Sequence, residues 1–396
     1  MKSNKFSKTR KLKNKTKIFK SNRTRRRVGG DVIGSGGFGC VFRPALKCKN
    51  KTQRKSNMVS KLLTQRHAKK EFAIIRKIKS RLQTIPYYEE YFLVDNISSC
   101  SLSPLSEKDL SNFNKKCKTM KKHEKITAEN INEELGKLRA LNLPDGGFNL
   151  NVYYANMKKK EDFKFINNEL SEMLTEAIIP MNELGVYHAD IKEGNILFNM
   201  NTQRIGIIDW GLSFYLKSER AHIPKIIKNK PFQYNIPFSV ILFNKTFDKY
   251  YSSFLKKHKK YQVTPEEIIK FVEKYVELWI EKRGKGHLNV IEEIWKIVAD
   301  DEETDVLRTF VIPYMSDILV KYTSGNKFQK DKYFHEVFLR NLDVWGLLMS
   351  YSTVLEDNRF NLKSAISDLY IDYLFNTSSE PIDISSLKER LKYIAN

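Results

Sequence analysis

Cysteine is scarce. The four in the chain, Cys40, Cys48, Cys100 and Cys117, form no C-x-x-C pair and no zinc-finger spacing, so a structural zinc site is not expected, and four free thiols in a reducing compartment are. No apolar run approaches the ~18 residues that span a bilayer, and no leader-like pattern opens the chain, so neither a transmembrane segment nor a secretion signal is expected. Acid is missing from residues 1–27, which hold thirteen Lys or Arg. A segment so charged and so poor in apolar residues cannot bury enough surface to order itself, and residues 1–30 are expected to form a disordered basic tail. The plain reading is a solvated tail. The sharper ones are contact with nucleic acid or another polyanion through phosphate neutralisation, or a nuclear-import signal around Arg23, Arg25, Arg26 and Arg27.

Apolar residues are not lacking. They make up 41% of 396 residues, enough to bury a large core, and the length suits a two-part enzyme of about 300 residues plus extensions. The tail supplies thirteen of the +24 net charges, more than half.

The sharpest pattern lies between residues 186 and 211. Asp190, Lys192, Asn195 and Asp209 fall within twenty residues, each beside a short apolar run. Phosphoryl transfer needs such a set. One carboxylate orients the attacking hydroxyl, while an amide and a second carboxylate hold magnesium against the phosphates. Lys192 can reach the transferred phosphate. Each piece alone is ordinary: His-x-Asp is commonplace, Gly194-Asn195 marks a turn, and Asp209-Trp210-Gly211 could end a strand. The joint spacing carries the weight. It resembles the eukaryotic-type protein kinases, whose catalytic loop reads H-R-D-x-x-x-x-N and whose metal motif reads D-F-G.

Upstream, Ile33 precedes a glycine run in which Gly34, Gly36 and Gly39 fit G-x-G-x-x-G-x-V, with Gly37 between them and Val41 in the last slot. Cys40, Val41 and Phe42 favour a second strand after the turn, where a dinucleotide fold would open a helix. Residues 58–63 alternate as a strand with Val59 and Lys61 on one face. Lys61 would hold the ATP phosphates, and Val59 takes the slot the family fills with alanine. Residues 65–82 read as a helix with Phe72, Ile75, Ile78 and Leu82 as its stripe. Glu71 is its only acid and would pair with Lys61, against the bland alternative of a surface contact with His67 or Ile75.

Tyr91, Phe92, Leu93 and Val94 read as a strand, 101–137 as a polar lysine-rich insertion with few core residues, and 138–143 as a strand running into a hinge-like stretch around Gly146 and Gly147. Residues 163–184 form the clearest helix. Two departures from the family stand out. Ala189 replaces the arginine of H-R-D, and residues 231–237 stand where A-P-E is absent. Switching by phosphorylation at Ser213 or Ser218 is therefore not expected. Residues 240–335 form a helical insertion, with a capping box at Thr264 and Glu267, Pro265 at the first helical position and Gly284 closing the helix. Asp343, Val344, Trp345 and Gly346 resemble the family's D-V-W-x-x-G, in which the Asp would bind the catalytic-loop backbone. Residues 387–394 read as a short amphipathic helix.

The resemblance implies an α+β, two-lobed kinase-like fold. A small, mostly β lobe with one main helix spans 31–143, and a large, mostly α lobe with the helical insertion spans 144–396. It implies ATP and Mg²⁺ as cofactors and transfer to serine or threonine of a protein substrate, since Lys192 is the form found in serine/threonine enzymes. The ATP site would comprise Ile33, Gly34, Gly36, Gly37, Gly39, Val41, Val59, Lys61 and Glu71. Asp190, Lys192 and Asn195 would carry the chemistry, with Asn195 and Asp209 on the metal. The Lys- and Asn-rich composition resembles divergent kinases of giant DNA viruses, which implies a host-cytoplasmic, virion or, through the tail, nuclear location. Two rivals share the motifs: a small-molecule phosphotransferase of the aminoglycoside or choline type, whose loop reads H-G-D-x-x-x-G-N, and a pseudokinase scaffold.

Overall fold

The computed structural model describes residues 31–36, 39–218, 221–258, 263–357 and 359–394. The basic tail, 1–30, and Gly37 lie outside the described residues. An antiparallel sheet and one long helix form the N-terminal part, and a larger helical part follows.

The sheet has five strands in the order β1 (Asp31–Gly36), β2 (Gly39–Arg43), β3 (Met58–Thr64), β5 (Leu138–Pro144) and β4 (Ser98–Cys100). Register places Lys61 between Val41 and Leu141, and Val59 beside Leu143. Because side chains alternate, Val59, Lys61 and Leu63 share one face. Helix α1 (Gln65–Leu82) follows directly, capped by Thr64, and its basic last turn, Lys79 and Arg81, suits the helix dipole. Its Ala68, Ile75, Ile78 and Leu82 join Leu63 and Leu141 in the main core.

The opposite face carries Val32, Cys40, Phe42, Leu62 and Ala140, and it is covered. Phe113, Cys117, Met120, Ile126 and Ile131 pack on it as a second core. The stretch 101–137 is therefore not the core-poor polar insertion expected from its lysines. Phe113, Cys117 and Met120 recur at i, i+4 and i+7, a buried stripe whose intervening lysines hide it in the composition. Lys116 also donates to the Val32 carbonyl of β1 at 2.6 Å. The expectation of free thiols is corrected too. Cys40 is bonded to Cys117 and Cys48 to Cys100. Partners 77 and 52 residues apart meet only because the insertion folds over the sheet, which sequence spacing does not encode.

Residues 91–94 do not form the expected strand. A short helix, Tyr88–Tyr91, is followed by a single parallel bridge from Phe92 to Ile207. Phe92 is buried against Trp210, ring centroids 5.7 Å apart, so this apolar run ties the sheet to a second hairpin instead of extending a ladder.

In the helical part, the expected 163–184 helix appears as Lys160–Met173, a wide turn at Leu174–Ile178 and a last helix, Ile179–Glu183. Pro180 explains the widening, since it has no N–H to donate to residue 176 and its ring crowds that carbonyl. Pro313 follows the wide turn Leu307–Val311 in the same way. The insertion is helical as expected, with Lys245–Lys257, Pro265–Arg283 and Leu288–Ala299 preceding Ile312–Tyr322. The Thr264–Glu267 capping box is present and Gly284 ends its helix at φ 77°. Helix Leu339–Met349 is the most buried, with every residue from Asn341 to Met349 inside. Two small antiparallel sheets accompany the helices: Val186–Tyr187 pairs with the distant Phe214–Tyr215, and the hairpin Ile196–Asn199 with Arg204–Ile207 takes Phe148–Asn149 as a third strand. The C-terminal helix, Ile384–Ile394, buries Leu387, Leu391 and Ile394. No helix among the described residues is long and apolar enough to cross a membrane.

Candidate active site

Lys61 leaves β3 toward α1 and meets Glu71 there, Nζ to Oε1 2.9 Å and to Oε2 3.1 Å. The same ammonium reaches Asp209 Oδ1 at 2.8 Å. Burial works against its charge, but Asp209 and Glu71 together outweigh that and hold Lys61 above its ordinary pKa. Burial pushes Glu71 up, partly offset by Lys61. Burial acts on Asp209 as well, yet the Lys61 charge prevails and keeps that carboxyl below its usual range. Lys61 thus serves two carboxylates, one on α1 and one after the hairpin strand Arg204–Ile207. Gly211 keeps the approach open, since a Cβ there would stand 3.3 Å from Asp209 Oδ1 and 3.6 Å from Glu71 Oε2.

Asp190 occupies the loop after Val186–Tyr187 and is held from three sides. Lys192 Nζ contacts both its oxygens at 3.0 and 2.9 Å. Asn195 donates to its backbone carbonyl at 2.8 Å and to Oδ2 at 3.0 Å. Asn235 donates to Oδ1 and to the Ile191 carbonyl, both at 3.0 Å. The loop itself hangs on Asp343, whose two oxygens accept the His188 and Ala189 amides at 2.8 Å each. Burial pushes the Asp343 carboxyl up to about 6, against the pull of those two amides. Gly346, one turn along the same helix, lets the loop approach, because a Cβ there would lie 2.6 Å from the Ile191 carbonyl oxygen.

The two clusters are joined through the backbone. Ile208 N donates to the Asn195 carbonyl at 3.0 Å, and the His188 ring bridges back to the Ile208 carbonyl at 3.0 Å. Burial pulls His188 down to about 4, so it is neutral near pH 7, and the carbonyl partner assigns its hydrogen to Nε2. Its ring packs edge-on against Trp210, centroids 4.8 Å apart.

The remaining sequence candidates line the sheet above Lys61. Val41 stands opposite both Lys61 and Gly34. Val59 lies two residues before Lys61 on the same face. Ile33 is the extra residue of a bulge between Val32 and Gly34 and is 44% exposed. A Cβ on Gly34 would meet nothing within 4 Å, whereas one on Gly39 would strike the Leu62 carbonyl at 2.0 Å. Gly34 therefore faces open space, while Gly39 is required for the hairpin to sit on β3. Gly36 pairs with Gly39 at the hairpin end. In the hinge-like stretch Gly147 has φ 92°, and Arg43 of β2 clamps it by donating to Asp145 at 2.5 Å and to the Gly147 carbonyl.

The donor set suits magnesium. Asp209 gives Lys61 only one of its oxygens, and Asn195 turns its NH₂ toward Asp190. That leaves a carboxylate and an amide oxygen, hard ligands of the kind magnesium supplements with water and phosphate.

Several contributors escaped the sequence reading. Asn235 and Tyr234 sit in the stretch where A-P-E is absent; Tyr234 donates to Glu193 at 3.0 Å, and the Trp345 indole donates to its carbonyl at 3.0 Å. His287, from the helical insertion, donates its backbone N–H to the Phe232 carbonyl at 2.9 Å and rests its ring on Tyr234. Lys230 is buried beside the loop. In a chain with 70 Lys and Arg, no local signal marks one buried lysine. Set against known proteins, the chain matches no family model and no curated protein.

Proposed function

We propose that this chain is a two-lobed protein kinase that transfers the γ-phosphoryl group of ATP to serine or threonine hydroxyls of a protein substrate. The observation that carries the reading is the joint placement of Lys61, Glu71, Asp209, Asn195 and Asp190. They come from β3, α1 and two loops, and hydrogen bonds join them into one site. The spacing that suggested them could have scattered them over the surface.

In this reading the strands around Gly34 and Val41 cover the nucleotide, and Lys61 holds its phosphates while Glu71 fixes Lys61. Magnesium, held by Asp209 and Asn195, would neutralise phosphate charge. Asp190 accepts the hydrogen bond of the acceptor hydroxyl and takes its proton as the oxygen–phosphorus bond forms and the bond to the departing diphosphate breaks. Asn195 and Asn235 fix the direction of that carboxylate. Lys192, already paired with Asp190, is placed to stabilise charge on the moving group. The two parts, sheet with α1 and helical body, fit a small and a large lobe around this site.

The test is transfer of radiolabelled γ-phosphate from ATP with Mg²⁺ to a basic protein, casein or an aminoglycoside, with Asp190→Asn as control. Labelled serine or threonine in protein, lost in the control, is the expected result. Label on the aminoglycoside alone would move the assignment to small-molecule phosphotransferases. ATP binding without any transfer would favour the pseudokinase.

A further inference from the structure

Lys230 is 6% exposed, and both of its hydrogen-bond partners are neutral oxygens: the Ala189 carbonyl at 2.8 Å and Gln233 Oε1 at 3.0 Å. A buried ammonium with no directly bonded carboxylate is costly, and a methionine would fill similar space without that cost. What it holds is unusual. Ala189 has φ 57°, a left-handed conformation that strains a residue with a Cβ and persists only when the surroundings impose it. Here both of its peptide groups are pinned. Asp343 takes the N–H, and Lys230 takes the C=O. The next residue is Asp190.

Lys230 shares a segment with Asn235, which donates to Asp190 Oδ1. One segment therefore touches the loop on both sides of the reactive carboxylate, through Lys230 at the residue before it and Asn235 at its side chain. We propose that Lys230 is a positioning residue for Asp190: it locks Ala189 in its left-handed turn and fastens the Asn235 segment across the acceptor side of the site. The lock rests on the kinase reading only for its effect on catalysis; the tie itself does not depend on it.

The charged groups facing Lys230 are Asp190 and Lys192 on the loop, Asp343 on helix Leu339–Met349 and His287 at the head of Leu288–Ala299. Burial outweighs the carboxylates among them and pulls Lys230 down to about 8. A charged donor makes the stronger hydrogen bond, so the tie weakens as pH rises through that value.

The experiment compares the full chain with Lys230→Met and Lys230→Arg, by γ-phosphate transfer across pH 6.5–9.5 and by hydrogen–deuterium exchange of residues 230–237. We expect the wild-type profile to fall on its alkaline side; for Lys230→Met we expect kcat to drop about tenfold or more with KM for ATP unchanged, no such alkaline fall, and faster exchange in the segment. Lys230→Arg, which does not deprotonate, should recover activity and carry it to higher pH. A Lys230→Met variant with wild-type kcat, the same alkaline limb and unchanged exchange would overturn the proposal. If the wild type itself transfers no phosphate, the kinase reading fails, and exchange alone decides: faster exchange in Lys230→Met supports the lock, and unchanged exchange rejects it.

Discussion

Asp343 accepts the Ala189 amide at 2.8 Å across 154 residues of chain, so the turn beside Asp190 is held by a carboxylate on the most buried helix. An asparagine there keeps one acceptor but presents an NH₂ to one of the two amides, leaving a buried donor unpaired. Asp343→Asn should cost about 1–3 kcal/mol of stability and lower kcat on the order of a hundredfold through misplaced Asp190. Urea unfolding and steady-state transfer, measured together, check it. Reduced stability with intact kcat would show that the loop does not depend on Asp343 for its working geometry.

Lys61 separates two carboxylates, and that predicts an order. Removing the lysine leaves Glu71 and Asp209 without their shared cation in a buried site, whereas removing the Glu71 charge leaves Lys61 still paired with Asp209. Breaking a buried pair costs about 3–5 kcal/mol when a charge is left alone. Lys61→Met should therefore melt well below Glu71→Gln at pH 7, and MgATP should raise the melting temperature of Glu71→Gln but not of Lys61→Met. The reverse order would mean that Asp209 is not a true partner of the lysine.

What could be read in the sequence was local. Asp190, Lys192 and Asn195 lie within one loop, and Lys61 follows from strand alternation two residues after Val59, so short-range rules sufficed. The capping box at Thr264 and Glu267 is likewise a three-residue relationship. Glu71 needed one further step, the adjacency of a strand and the helix after it. Apart from the lysine-masked stripe of Phe113, Cys117 and Met120, the misses depend on distant segments meeting. Cys40 finds Cys117 only once 101–137 has folded over the sheet, and the apolar run at 91–94 becomes a bridge because Ile207 is there to receive it. Lys230 and Asn235 reach the loop around Asp190 from 41 or more residues further along, and His287 reaches Phe232 and Tyr234 from the helical insertion, where composition shows only another lysine, asparagine or histidine.

The covered outer face of the sheet gives a direct test of the insertion. Phe113 is fully buried, with its ring 6.4 Å from that of Phe42 on β2. Phe113→Ala should cost about 3–5 kcal/mol, as truncating an aromatic in a packed core does. If 101–137 were a solvated loop, the change would stay within about 0.5 kcal/mol. Denaturant unfolding distinguishes these values easily, and the smaller one would mean that Phe113 is not packed into a second core.

His188 makes stability depend on acid in a predictable direction. Burial holds its folded-state pKa at about 4, below the ordinary 6.5. Between those two values the unfolded chain binds the proton that the folded chain refuses, so stability rises with pH across that window and is lost as pH falls through it. For a fully buried ring the swing is roughly 3 kcal/mol. His188→Gln removes the titration while keeping a donor that can reach toward the Ile208 carbonyl. At pH 7 the variant should be less stable than the wild type, because the edge contact with Trp210 is lost. By pH 4.5 the gap should close or reverse, since only the wild type bears the cost of an imidazole that wants to be charged. Other acid-sensitive groups are common to both proteins and cancel in the difference. A gap that stays constant from pH 7 to 4.5 would mean that the His188 ring accepts its proton in the folded state, and that its bond to Ile208 does not depend on a neutral imidazole.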